Sequence, residues 1–294
     1  MLEFPPLPDD LPWAIPAYLL VDGVSVPDLP HLLRQWNNST YCLYQHTHWH
    51  ELSDISPYLV ALEGVEDPLL SYFQENAAQE WGYLLFSYVR PLEVCSHLRH
   101  LLSIEHPSGC EVMPRIADPA VVHHLLSASG PAQYARWLGP VELVCLPDAL
   151  ELTWQRHAQD CPDFCAAAQG ADIYRLTEQQ LTALGEAEFR RAVLALNDHM
   201  QLTFPDYRAT HTGHERLRHA RQIAQKAYES GFTSEQEITF YANVLGYLGD
   251  ESLTDHPDIA GLLTVTSSQT PLSRVKRAAE LAEDYAAALQ GRSL

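Results

Sequence analysis

The 294-residue chain carries 18 Lys+Arg against 38 Asp+Glu, a formal net charge of −20 at pH 7, and 46% of its residues are hydrophobic. That apolar fraction fills one large core or two ordinary ones, which excludes a disordered chain. A field of this sign repels phosphate backbones and anionic lipid, so neither nucleic acid nor a membrane surface is an expected partner.

After a Pro-rich entry (Pro5, Pro6, Pro8, Pro12, Pro16), residues 18–21 read as a buried strand and residues 27–36 as a helix with Leu29, Leu32 and Leu33 on one face. Further strands are expected at 41–44, 58–62, 83–89, 111–116 and 141–146, with helices at 68–78, 92–102 and 119–127. Strands alternating with helices at this spacing predict an α/β (α+β) lobe with a mixed sheet over residues 1–155. Residues 149–172 read as a joint, with a last strand near 150–154 and a loop around Cys161 and Cys165. From Thr177 the period becomes helical: a capping box (Thr177, Gln180) opens one helix, and others are expected at 213–229, 234–246, 259–264 and 271–289. Residues 172–294 therefore form an all-α lobe. Acidity is uneven, with 6 basic and 21 acidic residues in 1–171 against 12 and 17 in 172–294. No apolar run approaches the ~20 residues of a membrane helix, and no basic-then-apolar leader opens the chain, so neither bilayer insertion nor signal-peptide export is expected.

Candidate chemistry is sparse. Six cysteines (42, 95, 110, 145, 161, 165), most inside apolar runs, read as free thiols of a reducing compartment. The Cys161/Cys165 spacing, with three residues between, reads as an inert loop pair. His46, His48 and His50 alternate; on a strand they would face one way, and a metal-dependent hydrolase is the alternative to a surface cluster. His97/His100 and His123/His124 read as polar edges of amphipathic helices. Arg216, Arg218, Arg221 and Lys226, with His214 and His219, form one basic stretch, a solvated face or a meeting point for an acidic partner. Phosphate-binding loops, nucleophile elbows and zinc-protease signatures are missing from the sequence, and its two lysines, Lys226 and Lys276, both lie in the helical lobe. No cofactor is expected.

One segment is more specific. Arg115-Ile116-Ala117-Asp118-Pro119 places a carboxylate at a helix N-cap and Pro at the first helical position, where its missing N–H costs nothing. Arg115, three residues earlier, can pair with Asp118 across the turn, which gives both a scaffold role. With Asp22-Gly23 after the first strand, Ser56-Pro57-Tyr58, Trp81-Gly82, Leu98-Arg99 and Gly139-Pro140, this order of motifs over residues 17–146 resembles the type VI secretion effector chaperones, or adaptor proteins, a family first catalogued as a domain of unknown function. Ile116 and Ala117 depart from it, standing where the family carries aromatic residues.

The resemblance implies a non-enzymatic bacterial cytoplasmic protein that binds a cognate toxic effector and loads it onto the valine-glycine-repeat spike protein (VgrG). Such a task needs an exposed apolar surface with affinity low enough for release. Aromatics of the joint, Trp154, Phe164 and Tyr174, are the candidate contacts, with packing between the lobes as the alternative. A structural baseplate component is the third possibility.

Overall fold

Successive side chains of a strand point to opposite faces, so a strand buried along its whole length needs cover on both. β1 (Ala17–Val21) and β4 (Gly82–Phe86) are such strands, and each residue of both is buried. Tyr18, Leu20, Tyr83 and Leu85 enter one core, while Leu19, Val21, Leu84 and Phe86 enter the other. The computed structural model describes residues 4–159, 173–249, 253–264 and 269–290. The chain divides into two units, Leu2–Ala187 and Glu188–Leu294.

In the first unit, β1 and β4 are the central strands of a six-stranded sheet. The other strands are β2 (Thr40–Cys42), β3 (Tyr58–Ala61), β7 (Leu143–Asp148) and β8 (Thr153–Ala158), in the order β2-β3-β1-β4-β7-β8. One face is covered by α3 (Pro91–Leu101), α4 (Pro119–Ser127) and α5 (Pro131–Leu138), through residues such as Leu98, Val122, Leu125 and Trp137. The other is covered by α1 (Leu29–Leu33), α2 (Pro68–Glu75) and the Pro-rich entry, through Leu33, Phe73, Leu11 and Trp13.

The expected mixed sheet is corrected to an antiparallel one: β1 pairs antiparallel with β3 and β4, β2 with β3, and β7 with β4 and β8. Helical connections do join strands of the same sense, β1 to β2 through α1 and β3 to β4 through α2. Each crossover skips one place in the sheet, and an oppositely running strand fills it. The βα alternation is therefore real, while every neighbour is antiparallel, the split arrangement of ferredoxin-like units.

Three local expectations also shift. The strand expected at 111–116 shrinks to β6 (Glu111–Val112), paired with β5 (Ile104–Glu105), because Pro114 offers no N–H to continue a ladder. The last strand begins at Thr153 instead of near 150, since the Asp148 carboxylate accepts the amides of Leu150 and Glu151, each at 3.1 Å, and holds a turn there. Helix α5, for which no expectation stood, runs up to Gly139 and buries Ala135, Trp137 and Leu138.

The second unit is helical. α6 (Glu178–Thr203) opens in the first unit on the Thr177/Gln180 capping box, with Gln180 N donating to Thr177 Oγ1 at 3.2 Å and Thr177 N to Gln180 Oε1 at 3.0 Å. It is followed by α7 (Gly213–Glu229), α8 (Glu235–Leu248), α9 (Pro257–Thr264) and α10 (Pro271–Gln290). α10 packs on α8 and α9, and α7 packs on α8. Ile223, Ala224, Phe232, Val244, Ile259 and Val275 are among the buried residues.

Candidate partner-binding surface

Asp22 ends the central strand and is 3% exposed. A buried carboxylate needs full pairing. Asp22 accepts from Val24 N at 3.1 Å, from Ser25 Oγ at 2.8 Å, and from the guanidinium of Arg115, 93 residues further on. The same guanidinium donates to Ser25 Oγ at 3.0 Å and stands 3.8 Å from Asp118 Oδ2. Asp118 caps α4, accepting from Ala120 N at 3.0 Å and Val121 N at 3.2 Å, with Pro119 as the first helical residue. Arg115 therefore locks the exit of β1 to the start of α4, and its closer partner is Asp22.

Other motif residues gather at the same end of the sheet. The Asp22 amide donates to the carbonyl of Trp81 at 2.8 Å, and Trp81 packs edge-on against Phe73 at 5.5 Å. Gly23 is obligatory, because a Cβ there would lie 2.3 Å from the Ser56 carbonyl oxygen. Ser56 Oγ accepts from Tyr44 N at 3.1 Å and donates to the Pro57 carbonyl at 2.8 Å. Tyr58 begins β3 in register with Val21 and Cys42. Arg99, from the last turn of α3, donates to the carbonyls of Leu43 and Cys42, each at 3.0 Å. Ile116 and Ala117 are buried, and the Tyr83 hydroxyl donates to the Ile116 carbonyl at 2.8 Å.

Gly139 and Pro140 lie apart from this group. Gly139 has φ 56°, and a Cβ on it would reach within 2.3 Å of the His97 ring. His97 Nε2 meets the Trp137 carbonyl at 2.8 Å, and Ser87 Oγ donates to the Pro140 carbonyl at 2.5 Å. Burial pushes the His97 pKa down to about 4, and burial with the neighbouring His123 does the same for His157. His123 and His157 meet at 3.1 Å across α4 and β8.

Of the proposed contact aromatics, Trp154 and Tyr174 fall on opposite faces of the sheet. Trp154 holds the chain's entry: its indole donates to the Pro5 carbonyl at 2.9 Å, with Phe4 edge-on at 5.0 Å. Tyr174 is 3% exposed, packed against Trp137 at 5.2 Å, and its hydroxyl accepts from Gln180 Nε2 at 2.7 Å. Phe164, with Cys161 and Cys165, lies outside the described residues. Cys42, Cys95, Cys110 and Cys145 are free thiols, and burial pushes Cys95 up to about 11 and Cys145 up to about 12.

The strand-borne metal site expected as an alternative is corrected. Residues 45–49 form a turn, in which Thr47 Oγ1 donates to the Tyr44 carbonyl at 2.7 Å and accepts from Trp49 N at 3.1 Å, so the strand alternation never arises. His46, His48 and His50 are exposed; His48 stacks on Trp49 and His50 Nδ1 meets the Thr47 carbonyl at 3.1 Å. Among the described residues no three His, Cys, Asp or Glu side chains are grouped to hold a metal ion.

Four exposed apolar residues lie on the loops that meet near the lock. Val24 (54% exposed) follows Gly23, and Ile55 (44%) presents its backbone to Gly23. Leu52 (46%) shares the 3-10 stretch His50–Ile55, and the sulfur of Met113 (44%) accepts from Tyr44 OH at 3.5 Å. Sequence inspection missed these four. They stand on three segments remote in sequence, 22–26, 50–55 and 113–118, and only the fold brings those segments near one another. Large apolar side chains left in water on neighbouring loops are candidates for a contact surface.

Residues 17–136, from the start of β1 into α5, match a family described as a domain of unknown function (DUF4123). "Accessory protein VasW" of Vibrio cholerae serotype O1 is 30% identical over 277 residues, covering 93% of this chain and 90% of VasW. The chain belongs to the type VI secretion effector chaperone family. An accessory role in type VI secretion goes with that membership. The DUF4123 match encloses the whole Asp22–Arg115–Asp118 lock, and the likeness to VasW takes in most of the helical unit as well. No solved structure matches significantly. Among the described residues no helix is long and apolar enough to cross a membrane.

Two outcomes follow from the site's geometry. Removing Arg115 strands a buried carboxylate, so Arg115→Leu lowers stability by about 2–3 kcal/mol, somewhat under the cost of breaking a fully buried pair because Arg115 is partly exposed. Asp22→Asn in the same chain recovers part of that loss; chemical denaturation of the two single variants and the double variant measures the coupling. Independent, additive losses would contradict the lock. His97, held well below the usual histidine value of about 6.5 by burial, binds fewer protons folded than unfolded. Its contribution is complete above pH ~6.5 and is lost as pH falls towards 4. The thermal midpoint therefore drops over that window, and the drop is shallower in His97→Gln; equal slopes would contradict the assignment.

Proposed function

We propose that this protein is a non-enzymatic adaptor of the bacterial cytoplasm that binds one cognate toxic effector and delivers it to the valine-glycine-repeat spike. The observation that carries this is family membership with likeness to an accessory protein along nearly the whole chain. The apolar rim of Val24, Leu52, Ile55 and Met113 supplies the contact for the effector. It is held by a rigid ion-pair lock, so little ordering entropy is lost on binding. Burial is the first cause of the displaced pKa values of Tyr83, Cys95, Cys145 and His97, as expected of packing positions. Strong acidity keeps the adaptor away from nucleic acid and anionic membrane.

Deleting the gene abolishes export of a single toxin while other substrates of the apparatus are still fired. A chain carrying Val24→Asp, Ile55→Asp and Met113→Asp reproduces the deletion and loses at least tenfold in effector affinity, as expected when anchors of an interface are made charged. Its circular dichroism and thermal midpoint stay near those of the parent, because all three side chains are exposed. Loss of all firing in the deletion strain would assign the protein to the baseplate instead. Undiminished export of every toxin would contradict an adaptor role altogether.

A further inference from the structure

Two residues of the basic stretch of α7, Arg216 and His219, line a hollow in the helical unit. Between the end of α6, the turn at 204–208 and α7 lies a cavity of about 180 Å³, with apolar walls from Met200, Phe204 and Ile223 and with Arg208 and Arg216 in its lining. The Nε atoms of both arginines are buried without a hydrogen-bond partner, and neither side chain has an ion-pair partner among the described residues. Both side chains are partly exposed, and the Arg208 guanidinium lies 5.8 Å from the centre of the Tyr207 ring; in a chain of net charge −20, two such arginines with no acidic partner among the described residues suit a carboxylate. The nearby acid of α7, Glu215, is engaged by Thr212 in a capping box. His219 adds no charge at neutral pH: burial and Arg208 hold its pKa down, and its Nε2 meets the Tyr207 hydroxyl at 3.0 Å. Arg208 has φ 51°, a conformation that costs energy for any residue but glycine.

Size narrows the ligand. A cavity of about 150 Å³ takes a benzene ring, and small-molecule sites run from about 300 Å³ upwards. The hollow therefore fits one large apolar side chain and not a cofactor. A second hollow, of about 430 Å³, lies across the same turn, lined by Phe204, Asp206, Arg208, Gly246 and Tyr247, with no ion pair between Asp206 and Arg208. The Phe204 ring sits over Gly246, where a Cβ would come within 2.6 Å, and forms the divide. The two hollows leave room on both sides of Arg208, as an internal segment of a ligand chain requires.

We propose that this pocket binds an internal peptide segment of the cargo protein in which an acidic side chain, paired by Arg208 and Arg216, adjoins a large apolar side chain seated against Met200, Phe204 and Ile223. The identity of the partner rests on the adaptor role above; the chemistry of the pocket does not. The test uses the full chain and short fluorescent peptides, acetylated and amidated, containing Phe-Glu or Phe-Gln, followed by anisotropy. Saturable binding of the Phe-Glu peptide is expected, at least tenfold weaker for Phe-Gln and at least tenfold weaker again to the Arg208→Gln/Arg216→Gln protein, whose circular dichroism is unchanged. Equal binding of both peptides, or none up to millimolar concentration, overturns the proposal. So does a Phe-Gln peptide with a free terminal carboxylate that outbinds amidated Phe-Glu, which would make the pocket a receptor for chain ends. Binding as expected alongside normal toxin export in the deletion strain would overturn the adaptor role and leave the pocket standing. Lost export without peptide binding would do the reverse.

Discussion

A carboxylate cannot be buried at the end of a central strand without a counter-charge, and Asp22 obtains its own from Arg115. Because that arginine also reaches Asp118, three loops remote in sequence meet at one ion-pair group: residues 22–26 after β1, residues 43–57 before β3 and residues 113–118 before α4, the first and third joined by it directly. Gly23 and Ser56 bring the first two into backbone contact, and Tyr44 links the second to Met113. The apolar rim is carried on these loops. Loops usually supply binding residues at a cost in mobility; here the Arg115 guanidinium ties two of the three loops to each other.

Where the physics is local, the sequence was legible. Asp118-Pro119 is an N-cap followed by a pre-set first turn, and α4 runs as expected over residues 119–127. Ser234/Glu237 and Thr177/Gln180 are reciprocal caps that need no tertiary information, and both open helices. The strand positions of β1, β3 and β4 follow from apolar runs. Strand order does not, since nothing in residues 58–61 or 82–86 says that both will flank β1. The alternation of helices and strands suggested some parallel pairing, and the skipped places of the split crossovers removed it.

The site was legible only in part, for the same reason. Arg115 and Asp118 are neighbours in the chain, so their pairing could be anticipated; Asp22, the closer partner, is 93 residues away. Val24, Leu52, Ile55 and Met113 carry no periodic signal. The histidines at 46, 48 and 50 did carry a period of two, but Thr47 bonds its own turn and overrides it. Trp154 and Tyr174 are conspicuous in sequence, and the fold gives both packing partners, the entry segment for one and Trp137 with Gln180 for the other. In the helical unit the basic stretch was visible, whereas Arg208, set by a turn outside it, was not.

As proposed, both surfaces act by shape and charge on another macromolecule. The most direct measurement is intact-complex mass spectrometry of the native protein isolated from its host, before and after addition of the purified spike trimer. The account predicts a stoichiometric complex with one toxin, which transfers to the spike and leaves the adaptor free. A protein isolated without a toxin, or a toxin that stays bound when the spike is present in excess, would contradict it.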